Sequence, residues 1–440
     1  MDKVVDFKEW INKNFDVFEK SLNGEKLNGF HKTRKEALAK FNELSLPTLK
    51  DEEWRYTNIS PLFKYNFNVV TEQKKVSGKF VKKLLFDEMA AHHLVFVNGQ
   101  FSADDSKLYD LPKGVVVGNI LEAIKNQPEL IQKHFGRYAV DQNQVFTALS
   151  TAFIKDGAFI YVPDGKIIDR PIHIIFITST DGDKIITQPR NLFIAGKNSQ
   201  VTIIEHYANE SNEIYFTNTT TEIFADENAV IDHIKLQEES NEAFHIGRME
   251  IDQERNSNFT SHSISRGGKI TRNDFNSRFN GEGGECMLNG LFITEDSQLF
   301  DTHTMIDHAK PYCNSHEHYK GILDNKSSGV FNGKVMVRED AQKTNAFQEN
   351  NNILLSDQAI VNTKPQLEIF ADDVKCSHGA TIGQLNDDAK FYLKARGIGD
   401  EMAKSMLIHA FAIDVITSLK SEHVKTYVEE FLSKRFNQEN

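Results

Sequence analysis

The sequence predicts a mainly β protein of 440 residues in which a long β body lies between two helical segments. Three observations carry that reading. Apolar side chains recur at helical spacing in the first ninety or so residues and again over roughly the last sixty. From about residue 145 to about 375 that spacing is lost. Short β-rich runs replace it, punctuated by Gly, Asn, Asp or Ser at intervals of about 8–15 residues.

At the N-terminus, Phe7, Trp10, Ile11, Phe15 and Phe18 fall on one helical face. Phe30, Ala37, Leu38, Phe41 and Leu44 form a second stripe, which Pro47 brings to an end. Both are expected to pack a small helical core. LVFVNGQFS (94–102) reads as strand and turn, and a short helical stretch follows near 119–135. The body then offers FIYVP (159–163), IHIIFI (172–177), NLFIA (191–195), VTIIEHY (201–207) and AVIDHIKLQ (229–237) as strands. FHIGRMEID (244–252), MLNGLFIT (287–294), LFDTHTMI (299–306) and VFNGKVMV (330–337) continue the series. Beyond the body, Gly397 and Gly399 break the chain after FYLKAR, and Asp400 is the expected N-cap of a helix with Ala403, Met406, Leu407, Ala410 and Phe411 along one side. A final helix carries Val424, Tyr427, Val428, Phe431 and Leu432.

Such spacing fits a sandwich, a propeller or a solenoid. No strict repeat is visible, which disfavours a regular propeller, whereas a solenoid tolerates loose repeats because each rung touches only its neighbours. A solenoid's open ends are unpaired strand edges, so helical caps at both termini suit that fold. The expected organisation is an N-terminal helical domain over 1–92, a β core over 93–383 and a C-terminal helical domain over 384–440.

Composition narrows the function. At 39% hydrophobic and 26% charged, with 32 Phe to fill a core, the chain is ordinary globular protein. A net charge of −12 argues against nucleic acid as the main partner. The opening MDKVVDFKEW interleaves charge with apolar residues, unlike a secretory signal, and no apolar run is long enough to span a membrane. Three widely separated cysteines, Cys286, Cys313 and Cys376, form neither a disulfide framework nor a CxxC pair. A reducing, cytoplasmic setting is expected, and the chain cannot close a four-cysteine metal site alone.

The segment richest in chemistry is PQLEIFADDVKCSHGATIG (365–383). On a strand Cys376 and His378 project from the same side, about 7 Å apart at Cα. Thiol and imidazole both suit iron or zinc, and Lys375 beside them is expected to favour the thiolate. Two ligands do not complete a site that wants four. The bland alternative is a buried cysteine and a hydrogen-bonded histidine. A second group, His303, His308, Cys313, His316 and His318, gathers soft ligands in a short stretch, but in a solenoid these would spread over several rungs and faces. No GxxxxGK[ST] loop and no GxGxxG turn is present, so no P-loop ATPase or dinucleotide site is expected.

The segment KTNAFQENNNILLSDQAIVNTKPQLEIFADDVKCSHGATIGQLNDDAKFYLKARGI (343–398) resembles the C-terminal signature of the SufB/SufD family, and Cys376-Ser377-His378-Gly379 is more similar to its SufD branch. DEEWRYTNISPL (51–62), LVFVNGQFS (94–102) and PRNLFIAGKNSQVTIIEHY (189–207) also look like family segments, so the resemblance covers essentially the whole chain. It implies a right-handed parallel β-helix core flanked by helical domains. It also implies a non-catalytic scaffold for iron–sulfur cluster assembly, working with a SufB-like subunit and a SufC-like ABC ATPase. The cluster would be transient and shared with the partner, none being firmly bound by the isolated chain. His378 would be the better cluster ligand and Cys376 an assisting thiol at the SufB–SufD interface. The ATPase would dock near Phe391, Tyr392, Arg396, Met406 and Phe411. The histidine-rich stretch has no counterpart role in the family, and no primary sulfur-accepting cysteine is evident. The alternatives are a SufB-like homodimeric scaffold, a homodimer without metal chemistry, and a carbohydrate-active β-helix enzyme. The last requires export and a carboxylate cluster on one face.

Overall fold

The structure, a computed structural model, describes residues 6–22, 30–86, 88–140 and 143–436. Helices α1 (Phe7–Ser21), α2 (Phe30–Glu43), α3 (Gly78–Leu84), α4 (Ile120–Asn126), α5 (Pro128–His134) and α6 (Val145–Ala152) lie in the N-terminal part. Among them run β1 (Asn68–Val69), β2 (His92–Val97), β3 (Gln100–Lys107) and β4 (Val116–Asn119), followed by β5 (Ala158–Val162). The body continues with β6 (Ile172–Thr178), β7 (Ile185–Thr187), β8 (Arg190–Ala195), β9 (Gln200–Asn209), β10 (Phe216–Ala225), β11 (Val230–Glu239) and β12 (Phe244–Gln253). Then come β13 (Asn258–Gly267), β14 (Ile270–Phe279), β15 (Glu285–Thr294), β16 (Leu299–His308) and β17 (Asn314–Leu323). It ends with β18 (Ser328–Val337), β19 (Asn345–Leu354), β20 (Ile360–Ile369) and β21 (Lys375–Gly383). Three helices follow, α7 (Asp387–Ala395), α8 (Asp400–Ser418) and α9 (Glu422–Phe436).

Two sheets enclose a common interior. Sheet A runs β20-β18-β16-β14-β12-β10-β8-β5-β4, and sheet B runs β21-β19-β17-β15-β13-β11-β9-β6-β2-β3. From β8 on the chain alternates between them, so each strand pairs in parallel with the strand two places on, as in Val230↔Asn258 and Glu285↔Asn314. This is a β-solenoid of about eight turns with helices at both termini. Its corners explain the punctuation in the sequence. Asn198, Asn228 and Asn256 stand two residues before β9, β11 and β13 at φ 53°, 57° and 54°, a left-handed conformation that Asn tolerates better than most residues. Asn228 also donates to Asn198 Oδ1 at 3.0 Å, tying one corner to the next.

Alternate residues fill the interior. Ile203, Ile231, Phe259, Leu288 and Phe331 belong to one apolar cluster. A buried polar group interrupts it: Tyr207 donates to Glu205 Oε2 at 2.6 Å, His233 Nε2 lies 3.3 Å from Glu205, and His245 Nδ1 lies 2.6 Å from Glu239. Lys235 Nζ bonds His245 Nε2 at 3.1 Å from the same face.

The outer faces receive the helices. Phe7, Ile11, Phe15 and Phe18 of α1 join Phe41 of α2, the wholly buried α6, and Phe216, Phe244 and Ile270 on the outside of sheet A. Helix α6 falls inside the stretch read as β from residue 145; eight buried, mostly apolar or small residues resemble a core strand at that length. On sheet B, Ile204, Ile234, Ile264, Leu291 and Ile322 point outward and meet α8 and α9. The C-terminal helices therefore cover a sheet face and leave the last rung open, where caps over the end were expected. The apolar outward positions of sheet B decide this, because they need covering more than the end does. Two details of α8 also differ. Gly399 is the N-cap and Asp400 the first helical residue, held by Lys390, Lys394 and Lys404. The buried stripe is Ala403, Ile408, Ala412, Val415 and Ile416, so Met406 and Ala410 face solvent. The stripe of α9 is buried at Val424, Val428, Phe431 and Leu432. No helix among the described residues is long and apolar enough to cross a membrane.

Candidate functional site at the open end

Strand β21 is the last rung of sheet B and pairs only with β19, leaving one backbone edge free. The register sets Cys376 beside Ala346 and His378 beside Gln348. Along β19, Ala346, Gln348, Asn350 and Asn352 are buried whereas Phe347 and Glu349 are exposed. The first set thus faces the interior, and Cys376 and His378 share that side on the rung above. Cys376 is half-buried against the cluster of Val335, Val337, Ala341 and Ala346, while His378 is exposed. The two side chains sit in the mouth of the solenoid, reachable from its end.

Burial pushes the Cys376 thiol up, only partly offset by the hydrogen bond of the Ala346 backbone. Lys375, expected to favour the thiolate, belongs to the opposite side of the strand and does not lower it. Beneath the mouth the interior is polar. Gln348 Nε2 donates to Glu317 Oε2, Asn352 Nδ2 donates to Asn350 Oδ1 at 2.7 Å, and Asn350 Nδ2 donates to the Tyr319 carbonyl at 3.2 Å. Burial pushes the Glu317 carboxyl up to about 7, with hydrogen bonds from Thr304 and Gln348 working against the rise. Neither Gln348 nor Glu317 stands out in the sequence, since a buried polar rung is legible only once the register is known.

The histidine-rich stretch is dispersed. His303, on the outer face of β16, lies 3.2 Å from Glu53 and 3.1 Å from Asp301. The same network holds Thr57, which donates to Asp301 at 2.6 Å, and Arg272, which lies 3.9 Å over the Trp54 ring. It pins the 51–62 segment to sheet A. His308 is buried against Phe279 and bonds Ser315 Oγ at 2.9 Å; burial lowers it to about 4. Cys313 is buried at a corner, its thiol directed at the Gly281 carbonyl. His316 stacks on Phe347, and His318 lies 3.8 Å from Asp414. These five do not converge, and among the described residues no group of three or more His, Cys, Asp or Glu is arranged to hold a metal.

Phe391 and Tyr392 of α7 are 73% and 55% exposed, and Met402, Met406 and Ile413 of α8 are exposed beside them. Arg396 lies 4.6 Å over the Tyr392 ring. Phe411 is turned toward sheet B, with Lys320 Nζ 4.8 Å over its ring. A cleft of about 1060 Å³ opens elsewhere, between the 44–54 segment and the outer face of sheet A. Several of its cations are paired within the protein, Arg248 with Glu250, Arg272 with Asp274 and Asp301, and Arg338 with Asp307.

Residues 176–411 match the profile of the SUF system FeS cluster assembly SufBD core domain, and residues 8–174 that of the SufBD protein N-terminal region. The chain is 35% identical over 400 residues to an iron–sulfur cluster assembly SufBD family protein of Synechocystis, covering 89% of this chain and 88% of that one. It is 31% identical over 397 residues to the iron–sulfur cluster assembly protein SufD of Escherichia coli, covering 89% of each. The chloroplastic protein ABCI7 of Arabidopsis thaliana is 30% identical over 386 residues, 86% of this chain and 80% of that one.

Proposed function

Since the chain belongs to the SufB/SufD family of the SUF iron–sulfur cluster assembly system, we propose that it is a cytoplasmic scaffold subunit that pairs with a SufB-like protein and draws ATP hydrolysis from a SufC-like ABC ATPase. The observation that carries this reading is the open last rung, an unpaired strand presenting Cys376 and His378. A half-site is what two soft ligands amount to, and a strand added along the β21 edge would supply the rest from a second chain. In this reading the nascent cluster is cargo held between the subunits. His378, exposed at the mouth, is a ligand. Cys376, half-buried and with its thiol raised, assists. The exposed aromatic and Met side chains of α7 and α8, with Arg396, form the ATPase dock; Phe411 supports that surface from beneath. ATP-driven closure of the ATPase would distort the subunit pair and expose the site. The same edge would accept a second copy of this chain when the SufB-like partner is lacking.

The test is His378→Ala in the complex purified with its partners without oxygen. The subunits should still assemble, and cluster absorption in the visible region should be lost. A normal cluster yield would refute the ligand role.

A further inference from the structure

We propose that Gln348 is the positioning residue for His378: its side-chain carbonyl accepts a hydrogen bond from one ring N–H and so holds the other ring nitrogen outward. The proposal rests on the reading of His378 as a cluster ligand.

Three observations converge on Gln348. The first is register. Gln348 is the Cα partner of His378 on the neighbouring strand, on the same interior side, so the two side chains stack across one rung spacing of about 4.8 Å. The second is an orphan acceptor. Gln348 is 2% exposed, its amide nitrogen is committed downward to Glu317 Oε2, and its carbonyl Oε1 has no hydrogen-bond partner. A buried carbonyl left unmatched is costly, and the imidazole of His378, its cross-strand partner, can supply a donor. The contact with Glu317 is made by the NH₂ end of the amide, which leaves the carbonyl end as the unpartnered one. The third is space. In β18, across the interior, Gly333 has no side chain, and a Cβ there would collide with the Gln348 amide nitrogen. Sheet A thus leaves a slot in which the amide lies, under Pro365 of the last rung.

A ligating histidine commonly gives its second N–H to a carbonyl or carboxylate, which fixes the tautomer and aims the ring. Without an acceptor below, the exposed His378 ring would rotate freely and offer either nitrogen, and a ligand shared between two chains would lose its aim.

The test uses the full chain with ¹⁵N-labelled histidine, read by NMR for the His378 tautomer, and the complex with its partners, read by anaerobic cluster absorption. Gln348→Met should shift His378 from one tautomer to a mixture and lower cluster yield about 10–100-fold, the range seen when a supporting hydrogen bond to a ligand is removed. Because Gln348→Met strips Glu317 of the Gln348 donor, the double variant Gln348→Met, Glu317→Met is run beside it; it removes both polar groups, and the same two changes are expected. An unchanged tautomer or an unchanged yield in a folded variant overturns the proposal. His378→Ala, run in parallel, separates the two levels: if it too gives normal yield, the ligand reading itself has failed.

Discussion

The carboxyl of Glu317 makes stability depend on pH in a way that can be worked out beforehand. It is buried to 2% exposure, and its folded-state pKa is about 7 against an ordinary value of 4.5. Desolvation is the largest cause, so the ionised form is the one the fold disfavours. The sign follows. With the folded pKa raised, the folded state binds the proton more tightly than the unfolded chain. The stabilisation is complete below pH 4.5, fades as pH rises, and is gone above about 7. Each tenfold in proton affinity is about 1.4 kcal/mol, so the whole range is roughly 3.4 kcal/mol. By pH 5 about 0.8 kcal/mol is already lost and by pH 8 about 3.3, leaving about 2.5 kcal/mol between those two pH values. Glu317→Gln removes the titration but keeps an oxygen for the Gln348 amide. Urea unfolding of both proteins at pH 5, 6, 7 and 8 should give curves that diverge, wild type losing about 2.5 kcal/mol relative to the variant from pH 5 to pH 8. Parallel pH dependences would show that Glu317 does not titrate in this window, and the account of its burial would be wrong.

The buried cation and the mouth thiol give two further predictions. Lys235→Met takes the ammonium from between Glu205 and Glu239, where burial has lowered it to about 8, and leaves those carboxylates short of a counter-charge. A loss of about 3–5 kcal/mol in urea unfolding is expected, and a loss under about 1 kcal/mol would mean that the amine is neutral in the interior. Cys376, raised by burial, should react with iodoacetamide at pH 7.5 more slowly in the folded chain than in urea, as read by peptide mass mapping. Faster alkylation in the folded chain would point to a stabilised thiolate instead.

Strands with long apolar runs were legible in the sequence because their outer and inner faces are both covered: β6, β8, β9 and β11 sit where VTIIEHY and its like predict. Strands with polar sequences were not. FTNTTTEIFA, NAFQENNNIL and ITRNDFNSRF are β10, β19 and β14, yet they lack the apolar alternation that marks a strand. Many of their polar residues are buried and paired, as Asn191 with Thr221 along the ladder and Glu205 with Thr221 across the interior. That satisfaction depends on neighbouring rungs, which local sequence cannot reveal. The repeat was present but short. Asn-Ser-Gln-Val (198–201), Asn-Ala-Val-Ile (228–231), Asn-Ser-Asn-Phe (256–259) and Asp-Ser-Gln-Leu (296–299) each place a left-handed residue two or three positions before a strand. Cys376 and His378 stood out by residue type. What lies beneath them did not, because Gln348 and Glu317 become neighbours only through register across two turns.

The two ends of the solenoid are built differently, and the difference singles out one strand. An exposed edge is normally blunted by charge, proline or brevity. At the N-terminal end sheet A stops at the four-residue β4, and sheet B at β3, whose QFSADDSK sequence places Asp104, Asp105 and Lys107 on the edge. At the C-terminal end β20 carries Pro365 in mid-strand, which has no N–H to offer a further strand. Strand β21 has no proline and pairs with β19 in unbroken register from Lys375 to Gly383. Around it Ile360, Ile369, Phe370 and Ile382 are exposed, a collection of apolar surface that water does not favour. Of these four strand edges, then, the one left fit to accept another strand is the one that bears Cys376 and His378. A strand added there would lie about 4.8 Å from β21, and its in-register side chains would come within reach of the same metal ion or cluster as the imidazole. On the function proposed above, the edge chemistry and the half-site would be one feature: the backbone that recruits a second chain would also set how far its ligands stand from His378.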